Sequence, residues 1–305
     1  VIGEALAAAL GEEVVALEPI PGGDLNVAFR ATLAGGARVF VKTWANARPE
    51  GEVRGGCSPG GRNPRPAAAP GAYAAEAAGL AWLGAADDGL PVPEVLALDP
   101  DRWLALAWVD GGGRADPVAL GAGLAHVHRA GAARAGELPG NATNYVLGPL
   151  ALPNAPRPDW PGFYAESRLL PLTRMAADRG ALDPAGVRAV EAVAARIDEL
   201  AGPAEPIARL HGDLWSGNVH AGPAGRPWLI DPAAYGGHRE VDLAMLSLFG
   251  TQPRSFADAY DAVWPRAQGH QERVALYQLL PLLVHAVLFG GAYGDAARRA
   301  AQRYA

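Results

Sequence analysis

One cysteine, two methionines and a single lysine stand in a chain of 305 residues. Lone Cys57 excludes an intrachain disulfide framework and argues against a secreted, bridge-stapled protein. No apolar run is expected to reach the ~20 residues of a membrane-crossing helix. The opening Val1-Ile2-Gly3-Glu4 lacks a basic stretch followed by an apolar one, so no signal peptide is expected. Excess positive charge is also missing. Acids outnumber bases 32 to 26, for a formal charge of −6, the wrong sign for a general nucleic-acid binder. The default expectation is a soluble cytoplasmic protein with neither nucleic acid nor membrane as partner. Half the residues are hydrophobic and 19% are charged, enough for a sizeable core and unlike a disordered or fibrous chain. The length allows two ordinary domains or one large one.

The scarcity of lysine carries information. Every other base is arginine, so a bare positive charge is supplied by Arg throughout. Lys42, inside Val39-Phe40-Val41-Lys42, marks a place that a planar guanidinium does not fill. The plain alternative is a composition bias that spared one lysine.

Glycine (39) and proline (27) promise many turns. Residues 2–10 read as a short amphipathic helix, and 12–20, 27–33 and 38–44 as strands. Ala34-Gly35-Gly36-Ala37 forms a hairpin turn and Pro21-Gly22-Gly23-Asp24-Leu25-Asn26 a flexible one. Residues 46–71 are rich in Gly, Pro and Arg without hydrophobic periodicity, and are expected to be a mobile insertion. A helix over 72–86, two strands over 94–98 and 103–109, and the link Asp110-Gly111-Gly112-Gly113 follow. Beyond it the periodicity predicts helices over 117–129, 160–178, 184–200, 241–248, 256–263 and 271–289, and a terminal helix, with 132–158 irregular. The expected architecture is α+β and two-lobed. Residues 1–110 form a small antiparallel-sheet lobe with one main helix, and 111–305 a larger, mainly helical lobe. A ligand belongs in the cleft between them.

The chemistry-bearing residues lie in His211-Gly212-Asp213-Leu214-Trp215-Ser216-Gly217-Asn218, preceded by a short strand, and in Asp231, which ends another. Phosphoryl transfer needs alignment and charge cancellation more than covalent help. Asp213 suits the carboxylate that receives a hydroxyl proton. Asn218 and Asp231 are hard oxygen ligands for Mg²⁺. Lys42 suits a compact cation on the phosphates, and Glu76 a carboxylate that orients it. Gly22, Gly23, Asp24, Leu25 and Asn26 form a turn whose N–H groups can approach phosphate. Each piece has a bland reading: Asp213 or Asp231 as turn-formers, Glu76 as a solvated helix face, Gly22-Gly23 as a plain hairpin. All six in the required chain order are far more specific. His126 and His128, two apart on a helix, point to different faces and do not make a metal pair. His211 reads as a brace for the loop.

These strings resemble the aminoglycoside phosphotransferase and choline kinase branch of the protein-kinase-like fold. More narrowly, His211-Gly212-Asp213-Leu214-Trp215-Ser216-Gly217-Asn218-Val219 is similar to the signature of the fructosamine kinase (ketosamine-3-kinase) family. So are Asp231-Pro232-Ala233-Ala234-Tyr235-Gly236-Gly237-His238-Arg239-Glu240, Asp242-Leu243-Ala244-Met245, Phe249-Gly250, and His285 with Phe289-Gly290-Gly291. Asn144-Tyr145 and Asp159-Trp160-Pro161 also fit. The resemblance implies ATP- and Mg²⁺-dependent phosphorylation of the sugar 3-hydroxyl in ketosamines, either small glycated amines or glycated lysine on protein. It implies that the 3-phosphate makes the adduct unstable, so that the amine is released and the glycation repaired. It further implies Trp108-Val109 as an adenine-contacting hinge, Trp215 as a flat face for the sugar or its amine carbon, and His238, Glu240 and His285 as substrate residues.

An aminoglycoside or other small-molecule hydroxyl kinase is the enzymatic rival. Polycationic substrates call for many carboxylates, yet residues 266–305 hold only Glu272 and Asp295 against five arginines. Asp231-Pro232-Ala233 in place of Asp-Phe-Gly argues against a protein kinase. A non-catalytic nucleotide-binding pseudokinase is disfavoured because Lys42, Asp213, Asn218 and Asp231 are all present.

Overall fold

The computed structural model describes residues 2–21, 26–44, 69–140, 142 and 145–305. Gly22 to Leu25, Cys57, Asn144 and most of the stretch expected to be an insertion lie outside the described residues. Helix α1 (Ile2–Leu10) leads into a five-stranded antiparallel sheet: β1 (Val14–Ile20), β2 (Asn26–Leu33), β3 (Arg38–Trp44), β4 (Val95–Asp99) and β5 (Trp103–Ala107), in spatial order β1-β2-β3-β5-β4. Side chains alternate across a strand. On β3 this sends Val39 and Val41 into the core under α1, with Leu6, Phe29 and Ala105. Phe40, Lys42 and Trp44 go to the opposite face, where helix α2 (Ala72–Gly84) packs through Tyr73 and Leu80.

The second lobe is built on helices α3 (Pro117–Arg129), α4 (Trp160–Tyr164), α5 (Leu170–Asp178), α6 (Pro184–Ala195), α7 (Ile197–Leu200), α8 (Glu240–Leu246), α9 (Arg254–Val263), α10 (His270–Tyr277), α11 (Leu279–Phe289) and α12 (Ala292–Ala301). Asp116, Asp159 and Asp183 cap α3, α4 and α6 with their carboxylates, each followed by a proline in the first turn.

Proline breaks two spans that the periodicity predicts to be continuous. Pro281 has no N–H for the carbonyl of Tyr277, so 271–289 divides into α10 and α11. Pro171 likewise offers nothing to the carbonyl of Ser167. A π-helical turn (165–169) separates α4 from α5, and the Arg168 guanidinium donates to the freed oxygen at 2.9 Å. The 20-residue stretch His270–Phe289, with mean hydropathy 1.3, is long and apolar enough by composition to cross a membrane, which corrects the expectation that no such run exists. Of its most apolar 18-residue window, 67% is buried within the fold, and core packing accounts for its apolarity.

The expected irregular stretch contains a hairpin, β6 (Tyr145–Leu147) with β7 (Leu150–Leu152). Two further pairs are short: β9 (Val219–Ala221) with β10 (Pro227–Leu229), and β8 (Ala208–Leu210) with β11 (Tyr235–Gly237). Strands β8 and β10 are the ones expected before His211 and before Asp231; the others, at three residues each, are too short for a strand period to declare itself.

Candidate active site

The site begins with the strand period. Lys42 sits opposite Ala28 and Leu104 in the sheet and points at α2, with only 3% of its side chain exposed. Its Nζ lies 2.5 Å from Glu76 Oε2 and 2.8 Å from Asp231 Oδ1. Helix α2 reaches this position because Gly79, one turn after Glu76, lets the helix ride on the Asp231 segment. A Cβ at Gly79 would stand 3.3 Å from the Ala234 Cβ and 3.4 Å from Pro232. Burial works against the Lys42 charge, but Asp231 and Glu76 outweigh it and hold its pKa above the usual lysine value. Burial pushes Glu76 up to about 7, with Lys42 opposing.

The 211–218 loop is fixed from behind. Strand β8 pairs with β11, and the Ala233 N–H donates to the His211 carbonyl at 2.9 Å, binding the loop to the segment that follows Asp231. Gly212 adopts φ +83°, and a Cβ there would fall 1.9 Å from the Ala233 oxygen. Fully buried Asp242, on α8, accepts from the His211 N–H (2.7 Å) and the Gly212 N–H (3.0 Å). Its Oδ2 also contacts His128 Nε2 at 3.2 Å, and His128 Nδ1 meets the Tyr260 hydroxyl at 2.8 Å. The His211 ring braces the loop from inside. Nε2 donates to the Ile230 carbonyl (2.9 Å) and Nδ1 accepts from the Asp213 N–H (3.3 Å).

With the loop held, Asn218 Nδ2 donates to the Asp213 carbonyl at 2.8 Å and approaches Asp213 Oδ2 at 3.3 Å. Asp231 adopts φ +54°, a left-handed conformation that Asp tolerates better than most residues. Burial, then the charge of Asp231, raise Asp213 to about 7, with the Asn218 hydrogen bond opposing. Among the described residues no three His, Cys, Asp or Glu side chains converge as a metal cage. Asn218 and Asp231 supply the two oxygens that a phosphate-bound Mg²⁺ asks of a protein, so the donor set fits that ion.

These groups line one cavity of 720 Å³. Lys42, Glu76, Asp213, Asn218 and Asp231 meet there, with Ile20, Ala28 and Phe40 under the sheet. Asn26, the described part of the glycine-rich turn, also lines it. The opposite wall is aromatic: Trp215, Phe249, His285, Phe289 and Tyr293.

Four expected site residues lie elsewhere. Trp108 and Val109 are not among the described lining residues. The Trp108 ring lies 5.8 Å from the guanidinium groups of both Arg30 and Arg38, and its N–H donates to Asp110 at 3.2 Å. The Val109 carbonyl is taken by His220 Nε2 at 3.2 Å. His238 and Glu240 are 5% and 4% exposed, inside the second lobe. His238 stacks on Tyr277 (5.1 Å, 11°), and Glu240 holds Arg273 through two hydrogen bonds of 2.6 and 2.8 Å. Both sit inside the packing of the second lobe, His238 in a ring stack and Glu240 in an ion pair, and neither lines the cavity.

Sequence reasoning missed Asp242 as the anchor of the loop. Its signal was a carboxylate inside the apolar run Val241 to Leu246. It also missed Tyr145, Phe249, Phe289 and Tyr293 as cavity wall. Nothing in the local pattern of these aromatics separates wall from core.

A profile for fructosamine kinase matches residues 64–305. The chain belongs to the fructosamine kinase family. A crystal structure provisionally designated a fructosamine-3-kinase, from Thermobifida fusca, is 42% identical and superposes with a TM-score of 0.84 over 99% of this chain and 97% of its own. A protein designated a probable ketoamine kinase in Lactiplantibacillus plantarum is 32% identical over 96% of this chain and 95% of its own length. The choline kinase LicA of Streptococcus pneumoniae, 16% identical with a TM-score of 0.59 over 99% of this chain and 96% of its own, shares the fold. Membership in the fructosamine kinase family makes this chain an ATP-dependent sugar-amine kinase that transfers phosphate to a hydroxyl, on an α+β, protein-kinase-like fold.

Proposed function

We propose that this fructosamine kinase relative phosphorylates the 3-hydroxyl of the sugar in ketosamines, adducts of a sugar with a small amine or with lysine, and so initiates their breakdown to free amine. Asp213 receives the hydroxyl proton as the sugar oxygen bonds to the γ-phosphorus of ATP and the bond from that phosphorus to the β,γ-bridging oxygen breaks, leaving ADP. Lys42 grips the phosphates as a point charge and Glu76 orients it. Asn218 and Asp231 hold Mg²⁺, which when bound neutralises charge on the phosphates. Asn26 lies toward the phosphates, and Ile20, Ala28 and Phe40 offer the base an apolar slot. Trp215 and His285 face the sugar. The division between nucleotide and substrate lobes falls at the 110–113 link.

One observation carries this reading: Asp213 shares a single cavity with the Lys42, Glu76 and Asp231 cluster on one side and an aromatic wall on the other. The charge balance of the cavity argues against polycationic aminoglycosides. Its acids among the described residues are Glu76, Asp213 and Asp231, all within the phosphate-handling group. The test is ADP release with ATP, Mg²⁺ and fructosyl- or ribulosyl-lysine, with the phosphate located by NMR. Turnover with a 3-phosphate product is expected, and none with kanamycin. The reverse result would overturn the substrate assignment.

A further inference from the structure

The aromatic wall is unlike the rest of the surface. Six large apolar side chains are exposed in the described chain, and three of them, Trp215 (38%), Phe249 (50%) and Phe289 (48%), line this one cavity. They form a continuous run of rings. Trp215 and Phe249 meet edge to face at 6.2 Å and Phe249 and His285 at 5.6 Å, while His285 meets Phe289 at 5.6 Å and Tyr293 at 4.9 Å at tilted angles. The rings come from separate parts of the chain: the catalytic loop, the segment after α8, α11 and α12. Exposed aromatic area assembled this way is costly unless a ligand covers it.

The charges around the wall are as informative as the rings. Among the described lining residues the only lysine or arginine is Lys42, already paired with two carboxylates and 3% exposed; His285 is the one other basic side chain. The other charged groups there are Glu76, Asp213 and Asp231. Among the described lining residues, a carboxylate on the substrate would meet mainly apolar faces and like charge, with the Lys42 ammonium already engaged. An ammonium is welcome over an aromatic face.

Resting on the ketosamine reading above, we propose that this wall seats the carrier on the far side of the ketosamine nitrogen and selects carriers that are apolar and free of carboxylate. Adducts of aryl- and alkylamines are favoured over adducts of free amino acids. The secondary ammonium of the adduct lies against Trp215, and the carrier extends along Phe249 and Phe289.

The test uses the purified full chain with ATP, Mg²⁺ and fructose adducts of benzylamine, methylamine and glycine. The kcat/KM for the benzylamine adduct is expected to exceed that for the glycine adduct by about tenfold or more, the size of effect that one apolar subsite supplies. Phe289→Ala is expected to raise KM several-fold more for the benzylamine adduct than for the methylamine adduct, and Phe289→Tyr to restore the difference. Half-exposed Phe289 can be truncated without opening the core. Equal turnover of benzylamine and glycine adducts, or an equal loss on benzylamine and methylamine adducts in Phe289→Ala, would overturn the carrier assignment and leave the ketosamine reading standing. Failure to phosphorylate any of the three would overturn both.

Discussion

Lys42 shows how much one side chain can be asked to do. Its Nζ sits within 2.8 Å of two carboxylates in a space that excludes solvent, and a guanidinium is wider and flat. Lys42→Arg is expected to lower kcat/KM for ATP by at least about 100-fold despite keeping the charge, as steady-state kinetics would read. Near-normal kinetics would mean that the chain's single lysine is an accident of composition. Asp213→Ala is expected to abolish transfer while leaving ATP affinity by calorimetry within a few-fold. A matching loss of affinity would count against Asp213 as proton acceptor. His238 makes a different test. Burial holds its pKa down at about 4, against 6.5 for an ordinary histidine, with Glu205 opposing. Below pH 6.5 the unfolded chain therefore binds the proton that the folded chain refuses. The stability contributed by a neutral His238 is complete above pH 6.5 and is lost as pH falls toward 4, by about 3 kcal/mol. Glu76, raised to about 7, acts with the opposite sign, so the comparison is between wild type and His238→Phe. Urea midpoints from pH 7 to 4 should fall less steeply in the variant.

At the scale of elements, the short β8–β11 ladder and Gly212 bring the loops that carry Asp213 and Asp231 together, with Asp242 and the His211 ring bracing them. Gly212→Ala combines φ +83° with a Cβ 1.9 Å from the Ala233 oxygen, so backbone must move. The expected result is loss of most activity and a lower melting temperature, read by a coupled assay and by thermal unfolding. The π-helical turn between α4 and α5 makes a second case. It delivers fully buried Arg168, which has no acidic ion-pair partner among the described residues. Its guanidinium donates to the carbonyls of Pro153 and Ser167 and to Asn154, and lies over Tyr145 at 4.0 Å and over Phe163 and Tyr235 at 4.6 Å each. An ammonium cannot stack on three rings and reach three acceptors at once. Arg168→Lys is expected to cost about 2 kcal/mol or more in urea unfolding, despite retained charge. Proline caused two of the element-level mismatches between pattern and structure; the split of 184–200 at Arg196 and the hairpin within 132–158 have other origins. Pro171 and Pro281 preserve the apolar stripe while removing the N–H that would have kept each helix continuous.

For the whole molecule, the cleft is a property of two lobes meeting. Strand β3 supplies Lys42, α2 supplies Glu76, and the second lobe supplies Asp213, Asn218 and Asp231, with Gly79 setting how closely α2 approaches. The apolar cluster of Leu83, Leu124, Leu214, Leu229 and Leu246 runs from α2 through α3 to the catalytic loop and α8, tying the lobes together behind the site. Loop anchoring by Asp242 depends on the same packing. Asp242 satisfies two loop N–H groups and His128 from a position with no exposure, so every partner must be in place at once.

What the chain's sequence determined by itself was local or ordered: the strand period that turns Lys42 away from Val41, the aspartates that start helices, and the spacing from Asp213 to Asn218 to Asp231. These follow from backbone geometry and chemistry within a few residues. Only the tertiary structure decided what depends on neighbours far along the chain. It buried His238 and Glu240 inside the second lobe and brought Tyr145, Phe249, Phe289 and Tyr293 to the cavity wall. An aromatic or a carboxylate reads the same in sequence whether it faces a core or a cavity. The difference lies in which surfaces reach it first when the lobes pack.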